Sequence, residues 1–202
     1  MAVDTIVLAG GTGRRLGGVS KPEVVVAGRT MLDRVLDAVP GPSRAGGRVV
    51  VVGPAHLARP DVPTVLEDPP LGGPVAGLDA GLAYLGGAGE RPVLVLACDV
   101  PLAGDAVPTL LTALAAAPEA DGAVLRDGEG RRQPLLAVYR RSSLLAALDR
   151  RRAAGGVTGA SMRSLLEGLD LIEVDDPGEA GLDGDTWQAV AELEAAITRR
   201  SG

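Results

Sequence analysis

One stretch of this sequence decides its fold: Leu8-Ala-Gly-Gly-Thr-Gly-Arg-Arg-Leu-Gly-Gly-Val-Ser-Lys21. It follows the apolar run 5–8, which is typical of a short buried strand, and it is too rich in glycine to be regular structure. Glycines let backbone N–H groups face an anion with no side chain in the way. Arg15 and Lys21 add a forked and a mobile positive charge, so the stretch predicts a phosphate-binding loop.

Two common glycine patterns do not match this loop. The P-loop pattern requires Gly-Lys before Ser or Thr, whereas Lys21 stands before Pro22, and the dinucleotide pattern requires a third glycine where this chain has Leu16. A plain glycine loop between a strand and a helix would not explain the presence of both Arg15 and Lys21. The residues predicted to bind the nucleotide here are Leu8, Ala9, Gly10, Gly11, Thr12, Gly13, Arg15 and Lys21.

Apolar periodicity along the chain predicts strands that alternate with helices. Strands are expected at 5–8, 48–52, 63–67, 93–97, 121–125, 134–138 and 169–174. Helices are expected at 31–39, 74–85, 105–116, 142–153, 161–167 and 185–197, the first capped by Thr30 and the last by Asp185.

This alternation predicts a three-layer α/β/α fold of Rossmann type with a mainly parallel, seven-stranded sheet. The strands are apolar throughout, as in sheets that are covered on both faces. Ligands of such sheets bind at the carboxyl ends of the strands. That rule selects the loop after strand one, the segments after Val52 or Glu67, and the residues after Ala97.

Composition excludes several classes of protein. The 202 residues are 46% hydrophobic and carry a net charge of −6, with no Phe, one Trp and two Tyr. An acidic chain without aromatic platforms is a poor nucleic-acid binder, so no nucleic-acid partner is expected. One Cys and one His can build neither a disulfide framework nor a zinc site. No signal peptide or membrane-length apolar run is evident, so we expect a cytoplasmic protein without a membrane partner.

The loop resembles a known family. Leu-Ala-Gly-Gly, then Arg15 and Gly17, then Lys21 is similar to the signature loop of the sugar-nucleotide-pyrophosphorylase-like nucleotidyltransferases, and most similar to that of the molybdenum cofactor guanylyltransferases. This resemblance implies a single nucleotidyltransferase domain over 1–202, with a nucleotide-binding half at 1–100 and an acceptor-binding half at 101–202.

A second segment that resembles the family is Leu66-Glu-Asp-Pro-Pro-Leu-Gly-Gly-Pro-Val-Ala-Gly-Leu78. The resemblance implies that Gly73, Pro74 and Gly77 place backbone against the base. It also implies that Asp68 contacts the nucleoside, where a carboxylate could accept from the N1 and N2 donors of guanine. The alternative for residues 69–73 is a turn that opens a helix, and alone the segment is weak evidence.

Ala97-Cys-Asp-Val-Pro-Leu102 resembles the family motif in which the Asp coordinates Mg²⁺, which implies that Asp99 is the metal ligand. Magnesium prefers a carboxylate together with phosphate oxygens and water, and a strand end holds that carboxylate rigidly. Cys98 has no partner histidine in the motif, so we interpret it as a packed small residue rather than a nucleophile.

The resemblance extends toward the C-terminus. It implies that Asp183 lies near a second metal position, and that Arg131, Arg132 or Gln133 meets the acceptor. For these three residues a solvated turn is an equal alternative.

By this resemblance the chain transfers GMP from GTP to the terminal phosphate of molybdopterin, with Mg²⁺ as cofactor and with Arg15, Lys21 and Asp99 as catalytic residues. Arg15 and Lys21 would hold the triphosphate. Two alternatives remain open at this point: another nucleotidyltransferase, acting on a sugar phosphate or another metabolite or using CTP as donor, and a nucleotide-binding module without turnover.

Overall fold

Side chains of the central strands are buried on both faces of one sheet, which explains why the runs 49–52 and 93–97 are apolar without alternation. The computed structural model describes residues 2–11, 13–39, 47–86 and 90–201. Its strands are β1 Asp4–Leu8, β2 Val25–Val26, β3 Arg29–Thr30, β4 Val49–Val52, β5 Thr64–Val65, β6 Val93–Ala97, β7 Gly122–Arg126, β8 Arg132–Tyr139 and β9 Leu171–Asp175. Its α-helices are α1 Met31–Ala38, α2 Pro74–Leu85, α3 Val107–Ala116, α4 Arg141–Ala153, α5 Met162–Leu165 and α6 Trp187–Ser201.

The main sheet has seven strands in the order β5-β4-β1-β6-β8-β7-β9. β8 is antiparallel to both of its neighbours, and the other pairs are parallel. Helices pack on both faces, so the predicted three-layer fold with a mainly parallel seven-stranded sheet is confirmed. Leu8 pairs with Val52 on one side and with Ala97 on the other, which brings three strand ends to one edge.

Successive side chains of the strands point into two separate cores, as the pleat requires. One core joins Val7 and its neighbours to α1 and α3, and the other joins Ile6 and its neighbours to α2, α4 and α5. No helix in the described parts of the chain has both the length and the apolar character needed to cross a bilayer.

A third core ties the C-terminal helix to the glycine loop. Leu16 from the loop and Met31 from α1 pack with Leu193 of α6, and all three are almost completely buried. The small sheet of β2 and β3, which the sequence patterns do not predict, supplies Val26 to the same core. This packing brings the segment before α6 next to the loop after β1.

Several element boundaries differ from those predicted. The strand expected at 63–67 is limited to Thr64–Val65, since Pro63 has no N–H for the ladder and the chain leaves the sheet beyond Val65. The helix expected at 161–167 is limited to Met162–Leu165, with the Ser161 side chain accepting from the backbone N–H of Ser164. The last strand, predicted at 169–174, runs over Leu171–Asp175.

A buried ion pair fixes the opposite end of β1. The Asp4 carboxylate accepts from the guanidinium of Arg141, and the two side chains are 2% and 5% exposed. Asp4 also accepts from the backbone N–H of Arg48 at 2.8 Å, and Arg91 lies 3.8 Å from the same carboxylate at the surface. Removing one partner of a buried pair leaves a buried charge without compensation.

We therefore expect Arg141→Met to lower the free energy of unfolding by about 3–5 kcal/mol. Arg91→Met is the matched control, because Arg91 faces the same carboxylate but is 47% exposed, and it should cost less than about 1 kcal/mol. Urea denaturation of both variants measures the difference. Equal losses in the two variants would contradict the role of the buried pair.

Candidate active site

The carboxyl ends of β1, β4 and β6 open into one cavity of about 520 Å³. This is the edge at which ligands of parallel sheets bind. The cavity is lined by Leu8, Gly10, Gly11, Gly13, Arg15, Lys21, Val52, Glu67, Leu71, Gly73, Pro74, Gly77, Ala97, Cys98, Asp99, Leu135 and Asp185. It therefore collects loop, strand-end and C-terminal residues that are far apart in the sequence.

The loop after β1 has a fixed shape, and Gly13 sets it. The carbonyl oxygen of Gly13 accepts from the backbone N–H groups of Leu16 and Gly18, at 2.9 and 3.0 Å. Gly13 has a φ of +55°, and a Cβ there would collide with the carbonyl oxygen of Val19. Only glycine satisfies both conditions. Leu16 anchors the turn in the third core, so the loop holds its place while its glycines line the cavity.

The two cations predicted to bind phosphate, Arg15 and Lys21, contact carboxylates that come from other segments of the chain. Lys21 Nζ lies 3.2 Å from Asp99 Oδ2 and also forms a hydrogen bond with Asp185. Arg15 Nη1 donates to Asp185 Oδ2 at 2.6 Å. Burial alone would lower the pKa of Lys21, but its bonds to Asp185 and Asp99 outweigh burial and raise that pKa. Lys21 is therefore a stable cation at the strand ends.

Asp185 does not cap the last helix, contrary to the prediction. That helix begins at Trp187, and the hydroxyl of Thr186 accepts from the backbone N–H of Ala189 at 3.1 Å. The Asp185 side chain points into the cavity instead, where it accepts hydrogen bonds from Arg15 and Lys21. Burial opposes the charge of Asp185, but Lys21 and Arg15 outweigh burial and lower the pKa of this carboxyl.

Asp183 lies beside the same cluster and has the opposite electrostatics. Burial, together with the negative charge of Asp185, raises the pKa of Asp183. The segment is held in place by the backbone N–H of Gly184, which donates to the carbonyl oxygen of Asp99 at 2.9 Å. Asp183 lies near the cavity but does not line it. Its predicted metal role stays a prediction.

The carboxylates fit a magnesium ion that arrives with a nucleotide. Within the described ranges, no group of three or more His, Cys, Asp and Glu residues is arranged to hold a metal ion. Magnesium bound to phosphates requires only one or two protein carboxylates, because phosphates and water complete its six positions. Asp99 at the end of β6 provides one such oxygen ligand on the cavity wall.

Three of the four residues predicted to contact the base or the nucleoside line the cavity, and one does not. Gly73, Pro74 and Gly77 line it, and a Cβ on Gly77 would lie 3.2 Å from Leu8 Cδ2, so the glycine lets α2 approach β1 closely. Asp68 is exposed and does not line the cavity. The residue before it, Glu67, is buried and does line it.

The predicted acceptor residues lie outside this cavity, in or beside the hairpin between β7 and β8. Arg131 pairs with Asp127 at 3.0 Å, and Gln133 donates to the same carboxylate at 2.8 Å. Arg132 pairs with Glu173 and lines a separate cavity beside α5. From this part of the chain, Leu135 reaches the wall of the main cavity. An acceptor role for Arg131, Arg132 or Gln133 stays a prediction.

Two other predicted residues differ from the rest of the loop. Ala9 is buried in the core rather than in the cavity wall, and Thr12 lies outside the described residues. Cys98 lines the cavity but is 3% exposed, and burial raises the pKa of its thiol, so the thiol stays protonated. This agrees with its interpretation as a packed residue.

Sequence reasoning assigned no ligand contact to several lining residues: Val52, Glu67, Leu71, Ala97, Leu135 and Asp185. It took one of them, Asp185, for a helix cap. The rule that ligands bind at strand ends points to Val52, Glu67 and Ala97. No sequence signal points to Leu71 or Leu135.

Several known proteins are similar to this chain in sequence. Residues 5–172 match the family model of the MobA-like NTP transferase domain. A probable molybdenum cofactor guanylyltransferase of Chloroflexus aggregans is 37% identical over 170 residues, which cover 77% of this chain and 73% of that protein. The molybdenum cofactor guanylyltransferase of Acidiphilium cryptum is 39% identical over 99 residues, which cover 48% of this chain and 50% of that protein. The match thus spans about half the length of the Acidiphilium protein.

Among solved structures, the molybdopterin-guanine dinucleotide biosynthesis protein A of Archaeoglobus fulgidus superposes with a TM-score of 0.71. The alignment covers 98% of this chain and 100% of that one, at 21% identity. This likeness supports the fold.

We expect Gly13→Ala to weaken binding of inorganic tripolyphosphate by roughly a hundredfold, since a collision with the Val19 backbone must displace the loop. Gly28→Ala is the matched control: Gly28 has a φ of +78° but open space around its Cβ position, in the turn between β2 and β3. Isothermal titration calorimetry measures both. If Gly13→Ala binds as tightly as Gly28→Ala, the loop does not hold the anion.

Proposed function

The chain belongs to the MobA-like NTP transferase domain family, and on this premise we propose that it is a nucleotidyltransferase that transfers GMP from GTP to the terminal phosphate of molybdopterin. Pyrophosphate is the second product. One observation carries the proposal: Arg15, Lys21 and the carboxylate Asp99 gather in one cavity at the ligand-binding edge of the sheet, with Lys21 Nζ 3.2 Å from Asp99 Oδ2. The proposal includes a cytoplasmic location for this reaction.

The reaction requires no acid or base from the protein. A terminal phosphate oxygen of the acceptor forms a bond to the α-phosphorus of the nucleotide. The bond from that phosphorus to the β-phosphate oxygen breaks, and pyrophosphate leaves with the electron pair. Because the nucleophile is already an anion, catalysis consists of positioning and charge stabilisation. This suits a cavity whose one thiol is buried and protonated.

Arg15 and Lys21 perform the charge stabilisation. Both are held by Asp185 in the free protein, so they are already directed into the cavity. A triphosphate takes over these contacts from Asp185. Lys21 then offsets the charge that grows on the departing pyrophosphate, and the glycine loop donates backbone N–H groups to the phosphates.

Asp99, with Asp183 near it, would hold the magnesium ion. When bound, the ion neutralises phosphate charge and polarises the phosphorus that is attacked. Asp99 has the firmer position, because it lies two residues beyond the end of the buried strand β6 and its backbone carbonyl accepts from the N–H of Gly184.

Guanine and molybdopterin are proposed from the names of the relatives, which are guanylyltransferases of the molybdenum cofactor. The apolar part of the cavity wall, with Leu8, Val52 and Pro74, suits a planar base. The acceptor would approach from the side of β8, where Leu135 lines the cavity.

Asp99→Asn should lower turnover by roughly a hundredfold or more. This is the order of magnitude by which the rate falls when one electrostatic contact to a transition state is removed. Asp37→Asn is the charge-matched control, since Asp37 forms an exposed pair with Arg29 away from the cavity. Pyrophosphate release with Mg²⁺, GTP and molybdopterin measures both. Full activity of Asp99→Asn would contradict the proposed metal ligand.

The same assay with CTP and ATP, and with sugar phosphates as acceptors, tests the substrates. A preference for CTP or ATP would contradict GTP as the donor. GTP binding without pyrophosphate release on any acceptor would contradict enzymatic turnover and favour a binding module.

A further inference from the structure

Glu67 is a buried carboxylate without a cation. It is 7% exposed, and the other buried charged residues in the described ranges, Asp4 and Arg141, pair with each other. A buried carboxylate is costly unless hydrogen bonds compensate for its lost hydration. Glu67 accepts one such bond at Oε1, from the backbone N–H of Leu71 at 3.0 Å. In the described ranges its second oxygen has no such partner and is not fully buried, so it is open to a ligand.

The loop after β5 holds Glu67 in this orientation. Leu66 and Asp68 on either side of it are exposed, so the alternation of the chain turns the Glu67 side chain inward. Gly72 makes the loop tight, because a Cβ there would lie 2.8 Å from the Cβ of Ala76 and 3.7 Å from Glu67 Cγ. The carboxylate is therefore fixed against the cavity wall.

Glu67 follows β5 and lies against the first glycines of the loop after β1, since its Oε1 is 3.8 Å from where a Cβ on Gly10 would be. In the sheet, β4 and β1 separate β5, which precedes Glu67, from β6, which ends beside Asp99. The wall between them is apolar, and it includes Leu8 and Val52 at the ends of β1 and β4. If the phosphates lie on Lys21 and on a magnesium ion held by Asp99, the base of the same nucleotide can reach the side of the cavity where Glu67 lies.

A carboxylate is an acceptor that can take two parallel donors. Guanine offers such a pair, its N1–H and its N2 amino group, side by side on one edge. Adenine has no hydrogen at N1 and cytosine has none at N3, so neither offers this pair. An acceptor that stays unpaired in a buried site rejects the wrong ligand strongly.

We propose that Glu67 reads the base of the nucleotide by accepting from N1–H and the N2 amino group of guanine. This specificity role rests on the proposed function. It moves the proposed base contact from Asp68 to the residue before it, because Glu67 is buried against the cavity and Asp68 is exposed.

The test is Glu67→Gln, which keeps an oxygen for the Leu71 N–H but replaces one acceptor by a donor. Kd values are measured by calorimetry with Mg²⁺ and three nucleotides: GTP, ITP, which lacks the N2 amino group, and XTP, which carries a carbonyl oxygen in its place. Wild-type protein should prefer GTP to ITP by roughly tenfold or more. In Glu67→Gln this gap should close, and binding of XTP relative to GTP should increase by a similar factor.

Two further variants make the result decisive. Glu192→Gln, on the exposed face of α6, is the matched control and should keep the wild-type ratios. Asp68→Asn tests the neighbouring carboxylate. Unchanged GTP-to-ITP ratios in a folded Glu67→Gln protein, or a gap that closes in Asp68→Asn instead, would overturn the proposal.

Failure of the proposed function looks different. A wild-type protein that binds CTP or ATP better than GTP would overturn both the proposed donor and the guanine contact. Guanine preference that survives in Glu67→Gln overturns the inference alone and leaves the donor in place.

Discussion

The ammonium group of Lys21 lies between Asp99 and Asp185, and the rest of the site depends on this ion pair. The three residues come from the glycine loop, the end of β6 and the segment before α6, which are separated by 78 and 164 positions along the chain. The burial of Leu16, Met31 and Leu193 in one core holds those segments together. Charge and packing thus support the same arrangement, because the core fixes the backbones whose side chains form the pair.

The cavity has two chemically different ends, which follow from the order of the strands. Arg15, Lys21, Asp99 and Asp185 gather where the later part of the glycine loop meets the end of β6 and the C-terminal segment. Glu67 follows β5 and lies beside Gly10 at the start of the loop, with the apolar strand ends Leu8 and Val52 in the same wall. A nucleoside triphosphate has the same polarity, with a charged tail and a planar base that carries a few donors. The match between the two is the physical basis of the proposed function.

Much of this arrangement could be predicted from the sequence. The predictable parts are those that depend on local rules. Arg15, Lys21 and Asp99 each belong to a glycine loop or a strand end, and the fold brings these to one edge. What could not be predicted depends on side-chain direction in irregular segments. Glu67 rather than Asp68 faces the cavity because of a tight turn at Gly72, and Asp185 leaves the cap position to Thr186 because Lys21 and Arg15 attract it. Arg131 and Gln133 turn to Asp127 for the same reason, that a local carboxylate is nearer than the cavity.

The central claim is that Asp185 holds the place of a polyphosphate on Arg15 and Lys21. Affinity for inorganic tripolyphosphate, measured by calorimetry in EDTA for wild-type protein, Asp185→Asn and the exposed control Asp105→Asn, tests it most directly. Removal of the competing carboxylate should tighten binding by roughly tenfold in Asp185→Asn and much less in Asp105→Asn, beyond the general effect of one lost charge. Binding that is unchanged or weaker in Asp185→Asn would contradict the claim, because Asp185 would then only position the two cations.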